Sequence, residues 1–272
     1  MADSLAREAE EVQYHLQCKK GDVGRYVFLP GDPGRCELIA REFDQYWEVA
    51  YNREYKTLTG TVDGVKVSVT STGIGGPSAA IAVEELSRIG ADTFIRVGTS
   101  GGMQWDLLPG DLVIVSAAIR DEGTTRQYML IEYPAVAHLD VTNALVQAAK
   151  NKGVRFHVGI SQSKDSFYGQ HEPEKMPVGQ ELLARWDAWV KGNVLVSEME
   201  AASVFVLSSI KKLRAGCICL VVANQERAKI EGKWEIKEDL TDLIKVAVEG
   251  VRVLIEMDGE EKVQLRKVKR EL

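Results

Sequence analysis

The architecture this sequence predicts is a single α/β domain of three layers, α/β/α, with a central mixed β-sheet between two sets of helices. Three observations carry that expectation. Strand-like and helix-like segments alternate along the whole chain. Two of the strand-like runs, Thr93-Phe-Ile-Arg-Val-Gly98 and Cys217-Ile-Cys-Leu-Val-Val-Ala223, are almost continuously apolar, as central strands covered on both faces must be. No repeat, low-complexity linker or compositional break divides the 272 residues, a length that one domain of this class commonly fills.

In chain order, the first strand is expected near 25–30, where the apolar run Tyr26–Leu29 ends in Pro30-Gly31, and a helical pattern follows near 33–43. Strands near 56–62 and 65–72 flank Asp63-Gly64, a hairpin-turn pair, and Val65-Lys-Val-Ser-Val-Thr70 alternates with period two. A helix near 76–89 carries Pro77 in its first turn, where a missing N–H costs nothing. Further strands are expected near 93–98, 111–117, 154–161 and 217–224, and further helices near 141–152, 178–190, 199–213 and 237–257. The helix near 199–213 repeats Ala202, Phe205, Val206 and Ile210 at helical spacing. Residues 1–20 form a polar arm expected to reach a neighbouring subunit. Residues 21–257 form the domain, and the Lys-, Arg- and Glu-rich tail 258–272 is expected to fray.

Composition narrows the function. Hydrophobic content of 45% with 27% charged residues is that of a soluble globular protein, and no apolar stretch approaches a membrane span. Residues 1–17 lack the basic-then-apolar pattern of a signal peptide, so a cytoplasmic protein with no membrane partner is expected. A net charge of −6 argues against nucleic acid as a partner, and any anion site must be local. Cys18, Cys36, Cys217 and Cys219 have no metal-binding spacing and are expected to be buried free thiols, with Cys217 and Cys219 on one face of a strand.

The segment Gly31-Asp32-Pro33-Gly34-Arg35 stands at the carboxyl end of the first strand. Free backbone N–H groups and a permanent cation there suit an oxyanion, although a surface turn with a solvated arginine has the same pattern. The glycine-rich loop Ser71–Ser78 resembles a phosphate cradle in a position where such loops are also common without a ligand. Arg96 lies inside an apolar strand and requires a carboxylate or a bound anion, with Thr99 and Ser100 adding hydroxyls at the strand end. Glu198 and Glu200 begin a helix, where carboxylates serve as caps or, alternatively, accept hydrogen bonds from a vicinal diol such as ribose. Phe167 and Gln170, in a polar connection, could stack on and hydrogen-bond a flat heterocycle. His15 reads equally as a surface residue, and His138 and His157 have no catalytic neighbours in the sequence.

Taken together and in order, Gly31-Asp-Pro-Gly-Arg35, Asn52-Arg-Glu-Tyr55, Ser71-Thr-Gly-Ile-Gly-Gly-Pro-Ser78, Arg96-Val-Gly-Thr-Ser-Gly101 and Glu198-Met-Glu-Ala201 resemble the nucleoside phosphorylases of the trimeric and hexameric class, over roughly residues 12–257. The spacing of the set is nearest to members that cleave uridine. The resemblance implies reversible phosphorolysis of uridine to uracil and ribose 1-phosphate on a nucleoside phosphorylase-like fold. A purine or broad-specificity phosphorylase, a nucleosidase and a non-catalytic nucleoside-binding protein are the alternatives. It implies that Gly31, Arg35, Arg96 and Thr99 hold phosphate, with Arg53 reaching it from the adjacent subunit. Thr99, Met199 and Glu200 would hold ribose, His15 of a neighbour would meet the 5′-hydroxyl, and Phe167 and Gln170 would contact the base. Arg96, Glu200 and Gln170 would carry catalysis. Glu54, Ile74 and Ser78 match positions that hold an interface metal cation in some members; otherwise no cofactor is implied, with inorganic phosphate as co-substrate. The implied assembly is a homodimer, or a hexamer of dimers, with shared active sites.

Two departures bear on the base. The family's arginine two residues after the glutamine is here Glu172, and the proline between Tyr168 and Gly169 is missing, so another cation, Lys175 or Arg227, is expected to face the uracil carbonyls. Where purine-cleaving relatives carry an aspartate after the late strand, this chain has Asn224, whose amide cannot act as a general acid.

Overall fold

The computed structural model describes residues 11–271, and the side chains of those up to Glu260. Strand β1 (Tyr26–Leu29) is buried along its whole length. It runs parallel to β4 (Val65–Thr70) on one side and to β5 (Thr93–Gly102) on the other. Beyond β4, the antiparallel strands β3 (Tyr55–Val62) and β2 (Gln45–Asn52) form an open wing. On the opposite side β5 pairs in parallel with β10 (Arg214–Asn224), and its last two residues pair antiparallel with β9 (Val196–Glu198). Strand β6 (Leu112–Asp121) lies antiparallel to β10 and to the short β7 (Ala135–Val136), and parallel to β8 (Phe156–Lys164), which in turn pairs with β9. The five strands β5, β10, β6, β8 and β9 thereby close on themselves. The sheet is mixed, as expected, and half of it is curled into a barrel.

Two apolar layers flank this sheet. Period-two alternation sends Val27 and Leu29 to one face and Tyr26 and Phe28 to the other, and divides β10 likewise between Cys217, Cys219 and Ile218, Leu220. The first layer is closed by α2 (Gly76–Arg88) and α6 (Ala201–Ile210), through Ala79, Val83, Leu86, Ala202 and Phe205. The second is closed by α1 (Gly34–Ala40), α3 (Leu139–Lys152) and α8 (Thr241–Glu271), through Ile39, Leu145, Ala148, Val248 and Val251. The approach of α2 to α6 requires Gly76, because a Cβ there would stand 2.7 Å from Ser203 Oγ. The four cysteines are buried free thiols, and the sulfurs of Cys217 and Cys219 lie 3.6 Å apart on one face of β10.

Five of these elements were not expected, the two-residue β7 among them. Strand β2 is an exposed edge whose bulge between Glu48 and Ala50 breaks the alternation. Strand β9 has only three residues. The connection after β8 folds into α4 (Phe167–His171), and the segment after β10 into α7 (Gln225–Glu231). The expected helix near 178–190 is α5 (Gly179–Lys191). Of the arm, residues 1–10 lie outside the described residues, and the remainder packs on its own chain, with Leu16 and Cys18 fully buried. The backbone of the basic tail continues α8 to Glu271, and Leu272 lies outside the described residues.

Candidate active site

The site grows from three loops at the carboxyl ends of parallel strands. The turn after β1 lies against the glycine-rich loop after β4: Thr72 N donates to Pro30 O and Gly73 N to Gly31 O, both at 2.9 Å. A Cβ on Gly31 would stand 3.0 Å from Gly73 O, so the two loops touch as bare backbone. Asp32 accepts the Gly34 amide at 2.8 Å, which fixes the turn and sends Arg35 into the first turn of α1. From β5, Arg96 projects into the same place. Gly98, two residues on, leaves room for it, because a Cβ there would lie 3.2 Å from the guanidinium.

Arg96 is 5% exposed. It donates to Leu29 O at 3.2 Å and forms a short ion pair with Glu200, itself 3% exposed; its Nε has no hydrogen-bond partner. Burial is the largest influence on Arg96 and works against its charge, yet the Glu200 carboxylate and, to a lesser degree, Cys219, Cys217 and Glu198 together outweigh it and hold the guanidinium firmly protonated. The other Glu200 oxygen accepts Gly75 N at 2.6 Å. Gly75 has φ +94°, a conformation that glycine adopts without strain, and this aims its amide at the carboxylate. Arg35, by contrast, has no acidic partner within ion-pair distance among the described residues. Its one polar contact is Thr99 Oγ1 at 3.5 Å. Burial, and then the charge of Arg96 nearby, push its proton affinity down. Two guanidiniums therefore share a recess in which one carboxylate answers only one of them, and the remaining positive field suits an oxyanion.

Glu198 and Glu200 have different tasks. Glu198 accepts the amides of Glu200 and Ala201 at 2.8 Å, together with the hydroxyls of Ser161 and Ser163, so it caps α6. Burial and the nearby Glu200 carboxylate raise its proton affinity. The cap reading of the sequence holds for Glu198, which leaves Glu200 facing the recess with half-buried Met199 beside it. Ser100, expected to offer a free hydroxyl, donates to Leu220 O at 3.1 Å and is used within the sheet.

On the far side of β9 a cavity of about 350 Å³ is lined by Gln162, Lys164, Ser166, Gln170, His171 and Trp186, among others. Gln170 reaches it from α4, whose start is capped by Ser166. Its amide oxygen accepts from Ser197 Oγ at 2.7 Å, and its amide nitrogen lies close to Gly101. Phe167 is half exposed and lies against the His171 ring, with centroids 4.3 Å apart. Neither cation expected to face the base is available. Lys175 is exposed and paired with Glu172 at 2.8 Å. Arg227 pairs with Glu231, donates to Trp105 O and covers the Trp105 ring. Lys164, which carried no signal in the sequence because lysines at strand ends are usually solvated, is buried in the cavity wall. Asn224 donates to Gln104 O and Leu107 O and accepts from Arg227 N, so it serves as a cap and a loop tie.

Arg53 lies in the turn between β2 and β3, and His15 is tied to the residue before it. Asn52 donates to His15 O at 2.7 Å, and His15 Nδ1 lies 2.6 Å from Glu85 of α2. His15 Nε2 is left without a partner among the described residues, and Arg53 is exposed at φ +54°. Ser78 Oγ donates to Ile74 O at 3.2 Å, and Glu54 packs against Gly73, so these three neighbour one another. The expected cation there is not supported: Ile74 O already accepts a hydroxyl, only one of the three donors is anionic, and no cluster of three His, Cys, Asp or Glu suited to a metal occurs among the described residues. His138 and His157 lie beside Asp140 and Asp111. No helix among the described residues is long and apolar enough to cross a membrane.

The family model described as Phosphorylase superfamily matches residues 25–257. The uridine phosphorylase of Treponema pallidum (strain Nichols) is 52% identical over 250 residues, covering 92% of this chain and 96% of the relative. That of Thermococcus kodakarensis is 51% identical over 255 residues, covering 92% and 90%. The guanosine phosphorylase of Halorubrum lacusprofundi is 42% identical over 249 residues, covering 89% and 99%.

Proposed function

We propose that this chain, which belongs to the phosphorylase superfamily, catalyses the reversible phosphorolysis of uridine to uracil and ribose 1-phosphate. The observation that carries the reading is the pair of guanidiniums, Arg35 and Arg96, with a single buried carboxylate, Glu200, opposite. In this reading Gly31, Arg35, Arg96 and Thr99 hold phosphate, joined by Arg53 of a second copy. Met199 and Glu200 hold the ribose, with Glu200 on its hydroxyls and His15 of the second copy at the 5′-hydroxyl. A phosphate oxygen attacks C1′ as the bond from C1′ to the base nitrogen breaks. The electron pair leaves with uracil, and the proton brought by hydrogen phosphate ends on the base. The arginines align the nucleophile, and the phosphate charge stabilises the oxocarbenium character at C1′. No covalent enzyme intermediate and no metal is part of the scheme.

Two uridine-cleaving relatives at more than half identity support the pyrimidine, and so does the use of Asn224 as a cap. The guanosine-cleaving relative favours a second reading, a purine phosphorylase on the same scaffold. Supplying uridine, thymidine, inosine and guanosine with and without phosphate, and measuring free base, separates the two. Phosphate-dependent release of uracil is expected. Release of guanine or hypoxanthine in its place would establish the rival, and release without phosphate would make the enzyme a nucleosidase. The four buried free thiols suit a reducing, cytoplasmic setting. A homodimer, or a hexamer of dimers, is the assembly that lets His15 and Arg53 serve a neighbour.

A further inference from the structure

Lys164 closes β8 with its side chain turned inward, 8% exposed, in the wall of the 350 Å³ cavity that Gln170 also lines. A buried ammonium is costly unless something answers its charge. Among the described residues no carboxylate lies within ion-pair distance of it, and its hydrogen bond runs to a neutral hydroxyl, Ser197 Oγ, at 2.8 Å. That hydroxyl has one proton to give, and the amide oxygens of Gln170 and Gln162 stand 2.7 and 2.9 Å away. Lysine and glutamine are thus tied to one oxygen and face one cavity. An ammonium has three protons, so two remain for a ligand.

We propose that Lys164 is the specificity-determining cation of the base site: its Nζ donates to a carbonyl oxygen of the pyrimidine and holds the negative charge that the base gains as its glycosidic bond breaks. This rests on the phosphorolysis reading above. Lys175 and Arg227 are engaged elsewhere, so Lys164 supplies the charge whose absence at Glu172 the sequence leaves open. The charged groups facing it are Glu198 at the end of β9 and Glu200 just after it, Asp121 on β6 and His171 on α4. Burial is the largest influence on Lys164 and brings its pKa down to about 8, while the three carboxylates work the other way. The group is then mostly charged at neutral pH and easily relieved of its proton above it.

The test compares uridine with 5-fluorouridine, whose base carries negative charge more readily, at pH 6.5 in the full chain. With Lys164→Met, kcat for uridine should fall about 100-fold, the scale of one lost electrostatic contact to a leaving group. The fall for 5-fluorouridine should be at least tenfold smaller, and Lys164→Arg should restore most of the uridine rate. Ribose 1-phosphate binding, followed by calorimetry, should be unchanged in Lys164→Met. Equal losses for the two nucleosides, or no loss, would overturn the assignment. The wild type gives an independent reading should Lys164→Met fail to fold. Its affinity for uracil should weaken as pH rises through about 8, and an affinity that stays flat to pH 9 would overturn the proposal as well. A wild type that releases no uracil with phosphate would instead remove the phosphorolysis reading itself.

Discussion

At the scale of single residues the decisive contrast is between two neighbouring arginines, of which only Arg96 is paired with a carboxylate. Arg96 is fully enclosed and depends on Glu200 for its charge; removing either partner strands the other in the interior, a loss of about 3–5 kcal/mol that mixes stability with activity. Arg35 has no such obligation. It touches only Thr99, at 3.5 Å, and no ion pair is broken when it is removed. Arg35→Ala should therefore leave the melting temperature within about a degree of wild type, since no partner is stranded and the repulsion from Arg96 is relieved. The same variant should raise the KM for phosphate about 10- to 100-fold, the equivalent of one charge-assisted hydrogen bond. The KM for uridine should barely move. Initial rates at varied phosphate and fixed uridine, with a thermal melt alongside, check both halves. A matching rise in both KM values would mean that Arg35 orders the whole recess and does not hold the anion.

At the scale of elements, α8 is the last in chain order, and beyond its apolar face one carboxylate ties it to two strands of the sheet. Asp258 accepts both terminal nitrogens of Arg214 on β10, at 2.7 and 2.8 Å, and the Tyr26 hydroxyl on β1 at 2.5 Å. Burial opposes the charge on Asp258, but the hydrogen bonds from Arg214 and Tyr26 outweigh it and hold its pKa below the ordinary aspartate value. A carboxylate with a depressed folded-state pKa stabilises above its unfolded value of about 4 and loses that contribution as pH falls through the folded one. Asp258→Asn should cost about 1–3 kcal/mol at pH 7, by urea unfolding, and the gap to wild type should close below about pH 4. A gap that does not narrow at all as pH falls from about 5 towards 2 would assign the loss to packing. Such long-range ties have no local signature, whereas β1, β4, β5 and β10 were legible because burial on one or both faces writes period two or continuous apolarity into the chain. Edge strand β2 escaped because solvent on its face and a bulge at Glu48–Ala50 remove both signals. The recess proposed here for phosphate was legible for a related reason: glycines and a buried arginine are conspicuous in apolar strands. The cavity proposed for the base was not, since Lys164 and Ser197 look like ordinary polar residues until β8 and β9 bring them together.

At the scale of the molecule, two residues of the resemblance stand on a surface that one copy leaves in water. His15 reaches the β2–β3 turn through Asn52 and meets the exposed Tyr14 ring edge-on, exposed Tyr51 of β2 stands next to that turn, and exposed Ile74 lies near Glu54. Large apolar patches of this kind are commonly covered by another chain. If a second copy covers this one, each active site combines Arg96 and Glu200 of one chain with His15 and Arg53 of the other. Mixing two inactive variants then becomes diagnostic. One carries His15→Ala with Arg53→Ala, the other Glu200→Ala, and each alone should be nearly inactive. In a hybrid dimer one site collects all the defects and the other collects none. Random reassembly makes about half of the dimers hybrid, so about a quarter of wild-type activity should return on co-refolding or co-expression. A hexamer built from such dimers gives the same fraction, because each site still draws on one pair of chains. Recovery near a quarter requires sites shared between chains. If His15 and Arg53 served their own chain, every site in every mixture would carry a defect and no activity would return.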